Sequence, residues 1–198
     1  ARDSAALRRL EAEASNLHAV LTWALADDKP SQAELALWPV RGLFWLWSHH
    51  GPVAEGRIWL ARALDATIGN PQTYPRILVL ISAGWLSLLG DDTITAERLA
   101  TQALTCAREY GQAGLVFGAL WLLSDIHLAD DLEYAAALAD EGLALAPQLD
   151  ICHQGIALFH RASIAMFADD IERSLALFDQ ALVHLRRVGA LFWLGQAL

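Results

Sequence analysis

The stretch AMFADDIERSLALFDQAL, residues 165–182, decides the fold, because the chain writes nearly the same phrase three times. SLLGDDTITAERLATQAL at 87–104 and IHLADDLEYAAALADEGL at 126–143 keep its order: an apolar run, two aspartates, then an amphipathic run. The phrase closes on a small residue followed by leucine. Four such closures, Ala63-Leu64, Ala103-Leu104, Gly142-Leu143 and Ala181-Leu182, stand 40, 39 and 39 residues apart. Twelve residues before each comes a break: Gly51-Pro52, Asp91-Asp92, Asp130-Asp131 and Asp169-Asp170. A fixed period of this length marks an array of stacked supersecondary units.

Each unit reads as two helices. Leu78, Ile81, Trp85 and Leu88 recur at three- and four-residue spacing in one, and Leu99, Ala103 and Ala107 in the next. Between them the Asp pair caps the second helix, since a short carboxylate accepts from free N–H groups and its charge suits the positive helix end. In the first unit Pro52 serves instead, with φ already set for a first helical turn. Gly69-Asn70-Pro71 with Pro75, Gly111, Pro147 and Gly189 separate the units, and no alternating strand pattern occurs. The expected fold class is therefore all-α, with helix pairs over 31–67, 73–109, 112–146 and 150–187. One pair cannot bury its apolar face alone, so neighbours must stack. Small residues such as Ala83, Gly84, Ala103 and Gly142 suit close crossings. Ahead of the repeats, residues 3–28 are expected to form one linker helix, capped by Asp3 with Leu7, Leu10, Leu17 and Leu21 on one stripe. Residues 190–198 read as the start of a further, truncated helix.

Composition narrows the function classes. The chain has 198 residues, 55% of them hydrophobic, and a net charge of −9. Its longest uncharged runs, 77–90 and 110–124, fall short of the roughly 18 residues a membrane span needs. The acidic balance argues against nucleic-acid binding, which draws most of its affinity from basic patches. The doublets Arg8-Arg9 and Arg186-Arg187 read as solvated helix ends or faces. Neither terminus resembles a signal peptide, and the absence of an initial Met makes the chain read as a piece of a longer protein. Cys106 and Cys152 suggest no disulfide framework and are expected to be buried thiols in a reducing cytoplasm.

Residues 122–147, LLSDIHLADDLEYAAALADEGLALAP, resemble a tetratricopeptide repeat, with small Ala135, Ala139 and Gly142 at the packing positions and Pro147 after the second helix. Gly84, Phe178 and Ala181 match the same pattern. The period of 39–40 exceeds the family's 34, and Asp replaces the usual turn glycine in three units. The N-terminal part adds Leu10-Glu11-Ala12-Glu13, Asn16-Leu17, Trp23-Ala24-Leu25 and the run Gly56-Arg57, Leu60, Ala63-Leu64. Together these are similar to the superhelical arm of STAND-type signalling ATPases, such as LuxR-type regulators with a large ATPase module, SARP-like activators and the maltose-regulon activator. The resemblance implies a right-handed α-solenoid that senses a protein, peptide or small-molecule inducer. It also implies contact with a nucleotide-binding and winged-helix module upstream. A free-standing scaffold gripping a peptide is the alternative.

Catalytic and metal chemistry find little support. His153 and His160 lie seven apart on one helix, roughly 10 Å along its axis, too far for one ion. His49 and His50 are adjacent and point apart. Ser124-Asp125 with His127 suggests a triad, but no GxSxG elbow accompanies it. No phosphate loop with Lys occurs, and Lys29 is the chain's single lysine. No cofactor and no metal are expected, and the chain reads as no enzyme. Eight tryptophans carry more. Trp23, Trp59, Trp121 and Trp193 read as packing. In tetratricopeptide arrays the first helix of each pair lines the concave surface, and register carries this to four rows. They are Trp38, Arg41, Trp45, Ser48 and His49; Leu78, Ile81, Trp85, Leu88 and Leu89; Phe117, Leu120, Ser124, His127 and Leu128; Ile156, Phe159, Ser163, Met166 and Phe167. The candidate binding residues are Arg41, Trp45, His49, Ile81, Trp85, Leu88, Leu120, His127, Phe159 and Met166. One Arg among apolar and aromatic groups suggests a ligand with apolar groups and one anionic group.

Overall fold

A computed structural model describes residues 13–26, 30–190 and 193 of the chain. Among them every regular element is helical. In order these are α1 (Ala14–Ala24), α2 (Pro30–Gly42), α3 (Phe44–His49), α4 (Val53–Ala66), α5 (Tyr74–Leu89) and α6 (Thr93–Tyr110). Then come α7 (Ala113–His127), α8 (Leu132–Ala144), a 3₁₀ turn (Ala146–Gln148), α9 (Ile151–Phe167) and α10 (Ile171–Val188). None of the described helices is long and apolar enough to cross a membrane. The expected linker helix is described only as α1. Its first half with Asp3, Leu7 and Leu10, and its end at 27–28, lie outside the described residues, as does the further helix at 190–198 apart from Ala190 and Trp193.

The chain forms two compact units, Ala1–Leu99 and Ala100–Leu198. In the first, α1 packs on α2, and α4 and α5 pack on each other and on α2 and α3. Gly56 lets α4 approach closely: a Cβ there would lie 2.5 Å from Leu86 Cδ1 and 2.7 Å from Trp47 Cγ. In the second, α8 lies against α7 and α9, and α9 against α10. Phe117, Leu149, Ile156, Leu158, Ala181 and Leu185 form a core there. A Cβ on Gly155 would meet Leu185 Cγ at 2.9 Å. Ala103, Ala135 and Ala181 are fully buried, as small residues at crossings must be.

The aspartate pairs do two jobs. Asp92, Asp131 and Asp170 accept the backbone N–H groups of Thr95, Tyr134 and Arg173 at 3.1, 2.9 and 3.2 Å, capping α6, α8 and α10. Asp91 and Asp169 instead sit at φ +58° and end the preceding helix. The Asp91 N–H bonds Leu88 O and the Asp92 N–H bonds Ser87 O, and Asp169 and Asp170 repeat this with Met166 O and Ala165 O. That is the Schellman pattern, with Asp where glycine is usual. Asp130 does not follow: Asp131 N–H bonds His127 O at 2.9 Å and no positive φ is needed. Pro52 is the residue before α4, at ψ 110°, rather than its first helical residue, and its carbonyl accepts from Glu55 and Gly56.

The first helix of the first pair departs from expectation by splitting into α2 and α3. Pro39 lacks the N–H that would bond Leu35, and Gly42 follows in a helix it weakens. The ladder resumes through Leu43 N–H to Pro39 O and Trp47 N–H to Leu43 O, both 3.1 Å.

Buried polar groups are structural. Arg76, 5% exposed, donates to Leu64 O at 2.9 Å and to the Thr67 hydroxyl, closing the carbonyl end of α4. Ser124 donates to Ala135 O and Ser174 to Ala162 O, each joining the two helices of a pair. Arg161, 4% exposed, forks onto Asp140 at 2.6 and 3.2 Å, and Arg173 reaches the same carboxylate at 3.2 Å. Asp140 thereby ties α8 to α9 and α10.

Candidate functional site

In the first unit, α2, α3 and the start of α5 bring an aromatic row to the surface. Trp38 stacks on Tyr74, the first residue of α5, with centroids 6.0 Å apart. Arg41 Cζ lies 5.2 Å over the Phe44 ring, and Phe44 meets Trp45 edge-on at 6.3 Å. Trp45 stacks on His49 at 4.4 Å, whose Nδ1 hydrogen-bonds the Ser48 hydroxyl at 2.7 Å. Helical spacing explains the row: 38, 41, 45 and 49 share one face at three- and four-residue steps. Trp38 is 54% and Trp45 46% exposed.

Arg41 is half-buried within this row. Burial pushes its guanidinium pKa down, with the charge of Tyr74 acting the other way. Its Nε has no hydrogen-bond partner among the described residues. An arginine stays protonated in proteins, so the site carries a cation that has lost part of its hydration.

Of the other expected residues in this unit, Trp85 and Leu88 are half-buried on α5. Ile81 is only 8% exposed and belongs to the core. Trp23, expected to be packing, is 55% exposed, while Trp59 is buried and stacks on His18 at 5.6 Å.

In the second unit the row expected on α7 is rotated. Leu120 is fully buried, as are Ser124, Phe117 and Ile156 to within a few per cent, so these do not line an open surface. One position further on, about 100° around the helix, Trp121 and Asp125 are half-exposed. They line a cavity of about 340 Å³ with Leu128, Phe159, His160, Ser163 and Phe167. Trp121 contacts His160 and Trp193, both with centroids 5.3 Å apart. His160, 3% exposed, donates Nε2–H to Asp125 Oδ1 at 3.2 Å. His127 sits instead against Tyr134 and Asp130. Met166 is 50% exposed and Phe159 half-buried. Trp121, Asp125, His160, Phe44 and Tyr74 thus escaped the sequence reading of the site. For the first two the only available signal was a one-residue shift of register.

Ser124, Asp125 and His127 form no hydrolytic triad. The Ser124 hydroxyl is buried and donates to Ala135 O at 2.8 Å, and Asp125 bonds His160. Among the described residues no group of three His, Cys, Asp or Glu side chains is placed to hold a metal ion. Cys106 is buried, but Cys152 is half-exposed, contrary to expectation. Burial, then the Asp150 charge, pushes its thiol pKa up, which keeps it a poor nucleophile.

The chain is similar in structure to BtubC (BKLC) from P. vanneervenii, with a TM-score of 0.72 and 16% identity. The match covers 95% of this chain and 76% of that one. Two structures of a kinesin light chain-like protein of Podosopora anserina with nearly identical TPR-like repeats give TM-scores of 0.61 and 0.58, each at 11% identity. They cover 93% and 92% of this chain and 98% and 97% of those chains. No protein-family model matches the sequence, and no curated protein does. At these identities the likeness establishes the fold alone, a tetratricopeptide-like helical repeat.

Proposed function

We propose that the chain is a binding module without catalysis of its own, holding a protein, peptide or small-molecule inducer on the first helices of its pairs. The observation that carries this is the exposed aromatic row around Arg41. An indole left half in water forfeits on the order of 2 kcal/mol that a bound partner would recover. The partly desolvated guanidinium, with Nε unpartnered among the described residues, would gain a charge-assisted hydrogen bond from an anionic group. The preferred occupant of this surface therefore has apolar or aromatic groups and one anionic group. Trp45 and Trp85 occupy equivalent register positions in adjacent pairs, and both are assigned to this surface.

In the finer reading the module is the arm of a STAND-type ATPase regulator in the cytoplasm, touching a nucleotide-binding and winged-helix module upstream. A ligand that prefers one arrangement of arm and ATPase shifts that equilibrium by its difference in affinity and no more. The alternative is a free-standing scaffold, which uses the same surface without an ATPase. The parent gene separates the two: a Walker motif and winged helix encoded upstream of Ala1 support the arm, and their absence supports the scaffold. The binding role is tested with the tagged full-length protein. Trp45→Ala and Arg41→Gln should each lose the partner that the parent protein recovers from lysate, with unchanged circular dichroism. Equal recovery by all three proteins contradicts the proposal.

A further inference from the structure

The cavity between α7 and α9 differs in chemistry from the Arg41 row. Trp121, Phe159 and Phe167 give it aromatic walls, and Phe167, 61% exposed, stands at the lip. Among the described residues its one carboxylate is Asp125, and no Lys or Arg lines it. The buried His160 holds Asp125 by donating to Oδ1, the only hydrogen bond that the Asp125 carboxylate makes among the described residues. Ser163, on the same wall, spends its hydroxyl proton on Phe159 O at 3.1 Å and so offers the cavity only acceptor lone pairs. Beside the Trp121 indole N–H, the lining thus supplies aromatic faces, a carboxylate and a hydroxyl acceptor.

A ligand group complementary to such a site is a planar cation. An anion would meet the Asp125 carboxylate in a chain already at −9. A purely apolar group would strip water from that carboxylate and return no bond. Between the two cationic side chains, a guanidinium is the more weakly hydrated, stacks on indole and phenyl faces, and donates to a carboxylate in plane. We propose that this pocket takes the guanidinium of an arginine in a partner segment, stacked against Trp121 and hydrogen-bonded to Asp125. The inference rests on the binding role above and specifies what the second unit recognises.

The test is an NMR titration of the intact chain with N-acetyl-arginine amide, N-acetyl-lysine amide and the neutral isostere N-acetyl-citrulline amide. The arginine probe should shift the Trp121 indole N–H and the Asp125 and His160 amides saturably. The citrulline probe should bind about tenfold or more weaker, the loss expected for one charged hydrogen bond, and the lysine probe should fall between. Asp125→Asn, which keeps the acceptor for His160, should weaken the arginine probe by about tenfold at an unchanged melting temperature. Should that variant misfold, Phe167→Ala at the exposed lip should still weaken binding several-fold. Equal shifts from arginine and citrulline, shifts confined to other residues, or no shift at all overturn the inference. If partner recovery still depends on Trp45 in that event, the binding role survives and only the arginine specificity fails.

Discussion

Asp91 and Asp169 hold a backbone angle, φ +58°, that glycine adopts without strain and most residues avoid. Asp is among the side chains that tolerate it, and neither carboxylate is needed for the cap, which belongs to Asp92 and Asp170. Asp91→Gly and Asp169→Gly should therefore leave stability unchanged or raise it by up to ~1 kcal/mol, the relief of strain offsetting the entropy a glycine adds to the unfolded chain. Asp92→Ala and Asp170→Ala should each lower it by ~1 kcal/mol. Urea midpoints measured side by side check both signs, and a stabilised Asp92→Ala would refute the cap. Two cap carboxylates set an acid limit: Asp92, and Asp150, which accepts the N–H groups of Cys152 and His153 at the start of α9. Asp92 is held below the usual carboxylate range first by the Thr95 backbone N–H, and Asp150 by that of His153. A depressed folded pKa contributes stability that is present above the unfolded value of about 3.9 and is lost as pH falls through the folded one. Melting temperature should thus fall below about pH 4, and Asp92→Asn with Asp150→Asn should flatten that fall. The caps were legible in the sequence because an Asp before an amphipathic run has one main use. The left-handed angle was not, since three Asp pairs look alike and only two adopt it.

Helix pairing depends on small residues where elements cross. Ala103 and Ala181 are fully buried, so Ala103→Leu or Ala181→Leu should cost ~1–3 kcal/mol by overpacking. Gly56→Ala belongs with them, because its Cβ would enter the space of Leu86 and Trp47. Thermal melts matching the parent within error would contradict close packing at these positions. The helix breaks at 50–52, 90–92, 128–131 and 168–170 coincide with the turn residues of the repeated phrase, where the apolar period also changes. The split between α2 and α3 was readable only from Pro39 and Gly42, and the apolar residues on both sides of them concealed it. The row carried over by register missed the open side of α7 for a related reason. α7 is apolar nearly all round, with Leu115, Phe117, Leu120, Leu122, Leu123 and Ile126 all buried. Its sequence therefore contains no amphipathic contrast to say which side opens, and Asp125 is the residue that marks it.

For the molecule, the tetratricopeptide-like fold was legible because it is written in period, while the proposed site could be read only where helix and surface coincide. Of the row expected on α2 and α3, Trp38, Trp45 and His49 are exposed and Arg41 is half-buried. Tyr74 and Phe44 complete it from positions that no period distinguishes. The central claim is that this aromatic row is a binding surface and not leftover core. Binding energy in such surfaces concentrates in a few aromatic and arginine anchors. The most direct measurement compares the affinity of the recovered partner for the parent protein and for Trp45→Ala, with melting temperatures taken alongside. The account predicts a loss of about 2 kcal/mol or more in binding, while stability falls less than for Ala103→Leu. Unchanged affinity would mean that Trp45 is no binding anchor, and a drop in melting temperature as large as that of the crossing variants would mean that it serves packing; either result would contradict the account.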